Sequence, residues 1–401
     1  MDDDGGVVGE NPRRSRLVLP SLVVTNFVMG TPSLLISLLL IEIGATFGQS
    51  VGATGQISTI SSIAAFIAAL LMGFLSIRFR PKPLMLMGMS LFTLSAVGCA
   101  FSPQFSLLVA FYAMGGLGAS MVIPMTSTLV GELYSLSERA TVIGYLMAGG
   151  ALSFVIGAPV ITFIAGFGGW RTAFLVFVLP LVALGTVLSY LGLPSAPSGE
   201  EVSAGGRGVG EGFREVLLNR SAVACLLGSA LNAACWQAIV FYSASFMRQR
   251  FQVSAGFASL YIIGGASIYT VGSLVSGRIV NRFGRKRTTV VMSILAGAFT
   301  LLYYNVLDIW VSTFLAYVAS LFTGVRSSSA GSLTLEQVPK YRGTMMSISS
   351  ATGNMGVALG SGLGGLMLLW YGYNVLGVVL GGAGIAASLL FQFLTRDPTE
   401  K

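Results

Sequence analysis

Groups able to do acid–base or charge chemistry are few in this chain, and most of them sit outside its long apolar runs. There is no histidine among the 401 residues. Of the acids, Asp2, Asp3, Asp4 and Glu10 lie at the N-terminus and Glu200, Glu201, Glu211 and Glu215 in a Gly- and Ser-rich central stretch. Asp397 and Glu400 end the chain, and Glu138 and Asp308 separate apolar runs. That leaves Glu42, Glu132 and Glu336, with one guanidinium, Arg326 in the segment GVRSSSAG, within or at the ends of such runs. A carboxylate there can hold a proton or a cation, and a guanidinium can grip a carboxylate through two parallel hydrogen bonds. Bond-making chemistry has no comparable set. The sequence shows no paired-Asp motif, no phosphate-binding loop and no nucleophile beside a base, so an enzyme is not expected and no cofactor is implied. Cys99, Cys225 and Cys235 lie in apolar runs without metal-ligand spacing, which makes them packing residues and leaves no metal site.

Two readings stand for each isolated charge. Glu42 is either an acid at headgroup level or a proton or cation site. Arg326 either snorkels to an interface or faces a cavity, where it would favour an anionic or carbonyl-bearing substrate or neutralise an acid such as Glu336.

The elements that must position these groups follow from composition. Apolar residues make up 54% of the chain and charged residues 9%, against about a quarter charged in a soluble domain. Apolar runs long enough to cross a hydrocarbon core, about 20 residues, recur throughout. Cutting at charged or Gly/Pro-rich breaks predicts twelve spans: 17–42, 54–77, 83–102, 105–131, 140–165, 172–194, 221–247, 256–280, 288–306, 309–334, 343–370 and 373–395. They are too long and too continuously apolar for alternating barrel strands, so the class is an all-α membrane protein. With the N-terminus inside, all but four of the 23 basic residues fall in inner segments; the exceptions are Arg171, Arg248, Arg250 and Arg326. That bias predicts both termini in the cytoplasm and accounts for the net charge of +8 without nucleic acid. The first sixteen residues lack the pattern of a removable signal peptide.

The chain also repeats itself. At a shift of 204 positions Phe47, Ser50, Gly73, Arg78 and Glu132 match Phe251, Ser254, Gly277, Arg282 and Glu336. At 203, Arg139, Thr141, Ala148, Gly150 and Gly157 match Arg342, Thr344, Ala351, Gly353 and Gly360, and Gly169–Trp170 matches Gly372–Tyr373. The organisation predicted is a tail (1–16), a six-helix bundle (17–194), a cytoplasmic linker (195–220), a second six-helix bundle (221–395) and a C-terminal tail (396–401). An even number of helices per half inserts both the same way up, as parallel repeats. The linker's Gly, Ser and charge suit a mobile segment.

Gly277 to Arg287 reads GRIVNRFGRKR, between the eighth and ninth spans. A glycine, a small turn and a basic cluster at this place, with the repeat, the topology and Gly-Trp-Arg at 169–171, resemble the major facilitator superfamily over essentially the whole chain. Gly277 would permit close helix contact, Gly284 positive φ in the turn, and Arg285, Lys286 and Arg287 would hold the loop at an anionic inner surface. The segment is either a positive-inside loop or a latch on an inward gate. Its first-half copy, GFLSIRFRPKP, has Ile77 where the family has an acid, and the second has Asn281 there. The repeat instead suggests that Arg78 and Arg282 pair with Glu132 and Glu336. Small residues on span 4 (Gly115, Gly116, Gly118, Ala119) and span 5 (Gly149, Gly150, Gly157, Ala158, Pro159) serve close packing or a hinge. The span 5 segment resembles the drug-exporter motif of the family, with Pro159 one place late. Tyr112 stands where proton-coupled exporters carry an arginine, which counts against simple proton antiport.

The resemblance implies a cavity lined by spans 1, 4, 7 and 10. Its candidate substrate residues are Asn26, Ser33, Ser37, Tyr112, Asn232, Trp236, Gln237, Tyr242 and Arg326, a mixed aromatic and amide set suited to an amphipathic molecule. Glu42, Arg78, Glu132, Gly277, Arg282 and Glu336 are the candidates for coupling or gating. The function expected is secondary active transport of a small organic solute by alternating access, with drug or metabolite export ahead of an uptake permease or facilitative uniporter. A non-transporting receptor or scaffold of the same fold is the third reading. Partners expected are the small-molecule substrate, membrane lipids and a coupling proton or other ion, with the chain acting as a monomer in a plasma membrane.

Overall fold

The computed structural model describes residues 16–194 and 206–398; segments 1–15, 195–205 and 399–401 of the predicted tails and linker lie outside the described residues. The described residues form helices and no strand. In chain order they are α1 (Val18–Leu38), α2 (Leu40–Phe47), α3 (Val51–Arg78), α4 (Pro81–Phe101), α5 (Phe105–Leu133), α6 (Leu136–Ala173), a π-helical turn (Phe174–Val178), α7 (Leu179–Gly192), α8 (Gly206–Leu218), α9 (Arg220–Val240), α10 (Ser243–Phe251), α11 (Ala255–Phe283), α12 (Arg285–Asn305), α13 (Ile309–Leu335), α14 (Arg342–Trp370) and α15 (Tyr373–Phe393).

In hydrocarbon every backbone group must find its partner within its own segment, which is why uninterrupted apolar runs become helices. Ten segments are long and apolar enough to cross a membrane. One of them, Thr141–Gly192, runs 52 residues but is broken at Gly169, whose φ of 76° is non-helical, so it holds two crossings. α14 has 29 residues, a length of about 43 Å, and only its many glycines and serines dilute its apolar character. The count then agrees with the twelve predicted spans.

The internal repeat extends to backbone and hydrogen bonds. Ser50 and Ser254 both cap helices, each Oγ accepting at 3.2 Å from the N–H three residues on. Positive φ recurs at Gly48 and Gln252 (63° and 54°) and at Gly169 and Gly372 (76° and 85°). Trp170 Nε1 donates to Thr46 at 3.0 Å, and Tyr373 Oη to Gln249 at 2.8 Å. Arg139 donates to the carbonyls of Gly131 and Tyr134 at the end of α5, while Arg342 reaches Glu336 at the end of α13. Each half is therefore one folding plan used twice.

Two expectations need correcting. Spans 1 and 7 are not continuous helices: α1 yields to α2 at Leu39, and α9 to α10 at Phe241–Tyr242, where one carbonyl, that of Gln237, accepts from both residues. The linker is not wholly mobile either. Its α8 buries Val216, with Phe213 beside it, against Ala222, Leu226, Val338, Met345 and Ile348, so an apolar stripe docks it on α9 and α14.

The two halves meet along α3 with α14 and along α6 with α11. α5 packs on α3 and α4, and α13 on α9, α11 and α12. Among the described residues neither α5 nor α13 builds an interface with the opposite half.

Candidate functional site

Side-chain hydrogen bonds and an ion pair join the halves at one end, where the turns at 48–50 and 252–254 lie. Gly52 lets α3 approach the carbonyl of Gly365 so closely that a Cβ would collide with it. Gln56 Nε2 donates to Gly362 O at 3.2 Å, and Thr59 Oγ1 to Ser361 Oγ at 3.1 Å. Ser37 Oγ donates to Val240 O (2.9 Å) and Phe241 O (3.0 Å) at the break in the other half. Arg248 Nη1 binds Glu42 Oε2 at 2.9 Å and Leu38 O at 3.3 Å, and its Nη2 binds Glu42 Oε1. Among the described residues α5 and α13 add nothing to this closure, since neither builds an interface with the opposite half.

Several predicted lining residues are taken up by this closure or by packing within one half. Ser37 is buried in the seam between α1 and α9. Tyr242 is fully buried, its ring wedged between Gly55 and Gly364 and its hydroxyl given to the carbonyl of Ser361. Asn232 turns away, its Nδ2 donating to Ser293 of α12 at 3.1 Å. Asn26 spends its amide on the carbonyl of Leu22 at 3.0 Å, within its own helix. Gln237 is buried near the break that its backbone carbonyl makes.

Ser33 and Tyr112 are brought side by side, Ser33 exposed and Tyr112 nearly buried. On the other side Trp236, half-buried on α9, lies tilted against Tyr269 of α11 with ring centroids 4.8 Å apart and planes at 34°. Tyr269 Oη donates to Ser327 Oγ at 2.9 Å, fixing the ring beside α13. Arg326, 7% exposed, lies beside Ser327, on which the Tyr269 hydroxyl is anchored, and within electrostatic reach of Cys235 and Tyr269. The described residues offer its guanidinium no carboxylate, hydrogen-bond acceptor or aromatic face at bonding distance. It sits nine residues from the end of α13, about 14 Å along the axis, so Glu336 is out of reach.

The gating candidates divide. Glu336 is held by Arg342 at 2.7 Å and not by Arg282, whose guanidinium is exposed over the ring of Phe283, 5.3 Å from its centroid. A Cβ on Gly277 would meet nothing within 4 Å, so close helix contact is not its role here, whereas Gly284 does adopt φ 83° in the turn. Glu132 is exposed at the end of α5, and the side chains of its suggested partner Arg78 and of Ile77, like the surroundings of Gly73, lie outside what is described. The small residues of span 4 do pack closely: Gly118 approaches Gly88 O, Gly115 the hydroxyl of Ser95 and Gly116 the carbonyl of Ser61. In span 5, Gly149 approaches the carbonyl of Val23.

The sequence model of the Major Facilitator Superfamily matches residues 22–269 and 245–401. The chain belongs to that superfamily. A major facilitator relative, the MFS-type transporter YwfA of Bacillus subtilis, is 22% identical over 384 residues, covering 94% of this chain and 92% of its own. The gentisate transporter of Corynebacterium glutamicum is 26% identical over 376 residues, covering 86% and 80%. The fold is that of solved major facilitator proteins. A bacterial homologue of the human lysosomal transporter Spinster, in an inward-facing and unoccupied conformation, superposes with a TM-score of 0.75 at 16% identity over 96% of both chains. The D-xylose–proton symporter gives 0.75 at 17% identity over 96% of this chain and 99% of its own. This major facilitator chain is thus a multi-pass membrane protein, and the family's business is secondary transport of small solutes.

Arg248 and Tyr269 were missed as site residues. Arg248 carried a signal, because it is one of the few basic residues on the side opposite the charge bias. Another of them, Arg171, is held by the carbonyl of Ser102 at 2.8 Å over the ring of Trp170. Tyr269 gave no signal in an ordinary apolar span.

Proposed function

We propose that this chain carries a small organic solute across the plasma membrane by alternating access, with both termini and α8 on the cytoplasmic side. The observation that carries the proposal is the closure at the turn end. Glycine-lined contacts, side-chain hydrogen bonds and one ion pair join the halves there, while α5 and α13 stay clear of the opposite half; on this reading the path to Trp236, Tyr269 and Arg326 lies between them, from the end where basic residues gather. Rocking of the halves about that level would break the seal and expose the same residues to the other side. Export is the direction we propose, on the resemblance of the Gly157–Pro159 segment to the drug-exporter motif. Glu42, freed from Arg248 when the seal opens, is the candidate for a coupling proton. The two tails, the two six-helix bundles and a monomeric carrier complete this reading.

The test is flux in proteoliposomes under an imposed pH gradient, with radiolabelled benzoate, tetraphenylphosphonium and xylose as an anion, a cation and a neutral solute. Gradient-dependent movement of one of them, reduced in Glu42→Gln, is expected. Flux of one solute that ignores the gradient would remove the coupling role of Glu42, and no flux of any would favour a scaffold.

A further inference from the structure

Arg326 is anomalous on physical grounds alone. A guanidinium cannot shed its proton, and in a low-dielectric interior an ion without a partner is strongly disfavoured; where such a group persists it is normally paired or bound to a ligand. Of the three acids at comparable positions, Glu42 is satisfied by Arg248 and Glu336 by Arg342, while Glu132 is exposed at the end of α5. Arg326 is more deeply buried than any of these, yet the described residues give it no acceptor. What they place near it is a half-exposed aromatic pair, Trp236 against Tyr269, whose orientation is fixed by the bond from Tyr269 Oη to Ser327. Tyr269 is further locked because Gly324, two residues before Arg326, brings α13 against its backbone carbonyl.

We infer that Arg326, Trp236 and Tyr269 form the recognition site for an organic carboxylate with an aromatic or other flat apolar body. The carboxylate completes the guanidinium through a bidentate pair, and the ring lies against the Trp236–Tyr269 pair, where apolar area and aromatic geometry add selectivity. An inorganic anion would neutralise Arg326 but leave the aromatic pair without purpose. A cation would be repelled by it. This inference rests on the transport reading for its biological use, because it names the substrate class of the same cavity.

The experiment is calorimetric titration of the purified full chain in detergent with sodium benzoate, sodium acetate, sodium chloride and benzamide at constant ionic strength, alongside thermal unfolding. Benzoate is expected to bind and to raise the unfolding temperature. Benzamide, which keeps the ring and loses the charge, should bind on the order of 10–100-fold more weakly, as should benzoate to Arg326→Gln. Arg326→Lys should recover part of the loss, and Trp236→Ala should erase the preference for benzoate over acetate. Without ligand, Arg326→Gln is expected to be at least as stable as the parent, since it removes an unpaired buried charge. Benzoate and benzamide binding alike, chloride binding that benzoate does not displace, or benzoate affinity in Arg326→Gln within twofold of the parent would each overturn the inference. So would an Arg326→Gln chain that unfolds well below the parent, which would mean that the guanidinium has a structural partner. Flux of tetraphenylphosphonium or xylose without benzoate binding would defeat this inference alone. Benzoate binding without flux of any solute would defeat the transport reading and leave the site standing.

Discussion

The ion pair between Glu42 and Arg248 is the strongest polar tie across the seal, and its worth can be worked out. It is bidentate, with one contact at 2.9 Å, and the side chains are 35% and 16% exposed. A fully exposed pair contributes about 0.2–1 kcal/mol, and a well-ordered bond to a charged group about 1.5–3. At this intermediate exposure about 1–2 kcal/mol is reasonable, and at about 1.4 kcal/mol per tenfold the closed state should lose roughly 5–30-fold in population when the pair is broken. Spin labels on cysteines at Gln49 and Gln252, exposed on the two turns, would report the separation of the halves by pulsed dipolar spectroscopy; the native cysteines are buried. Glu42→Gln, Arg248→Gln and their double mutant form a cycle. Each single change should move weight to the longer distance, the double should add little, and the reversed pair Glu42→Arg with Arg248→Glu should restore much of the short-distance population. A coupling below about 0.3 kcal/mol, or no recovery on reversal, would refute the claim that this pair holds the seal.

Three further outcomes follow from the packing. Gly277→Ala should leave the unfolding temperature unchanged or raise it, because its Cβ meets empty space inside a helix, whereas Gly324→Ala should lower it by driving α13 away from the carbonyl of Tyr269. Gly169→Ala and Gly372→Ala should each cost about 1–2 kcal/mol in thermal unfolding, since φ of 76° and 85° strains any residue with a Cβ; equal stability of parent and variant would show that the turns relax. Val216→Asp should release α8 from Met345 and Ile348, seen as faster cleavage at Arg214 and Arg220 by trypsin in limited proteolysis with the transmembrane core intact.

The fold was legible because lipid leaves a chain few options. Long apolar runs had to be helices, and their charge bias and repeat fixed number and order before any coordinate. The breaks at Leu39 and Phe241 were not visible, because they depend on carbonyls taken by partners on the opposite half, such as Ser37 Oγ at 240 and 241. The candidate site was read less well. Residue type marked Arg326 and Trp236, but helical phase between neighbours decides whether a polar group lines a cavity. Asn232 and Tyr242 share α9 and its end with Trp236 and point respectively at α12 and into the seal. Assigning Glu336 to Arg282 from the repeat failed because Arg342 lies six residues away and reaches it first. Glu42 stood out by residue type, yet its partner lies 206 positions away, a distance no local pattern encodes.

Alternating access itself is tested most directly by locking the seal. Thr59 Oγ1 and Ser361 Oγ are 3.1 Å apart across the two halves, so Thr59→Cys with Ser361→Cys places two sulfurs within disulfide reach. In proteoliposomes supplied with benzoate, tetraphenylphosphonium and xylose, the oxidised protein should lose the flux that the reduced protein shows, and a reductant should restore it. Undiminished flux through the fully cross-linked protein would contradict the account, because the solute would then cross without the halves parting.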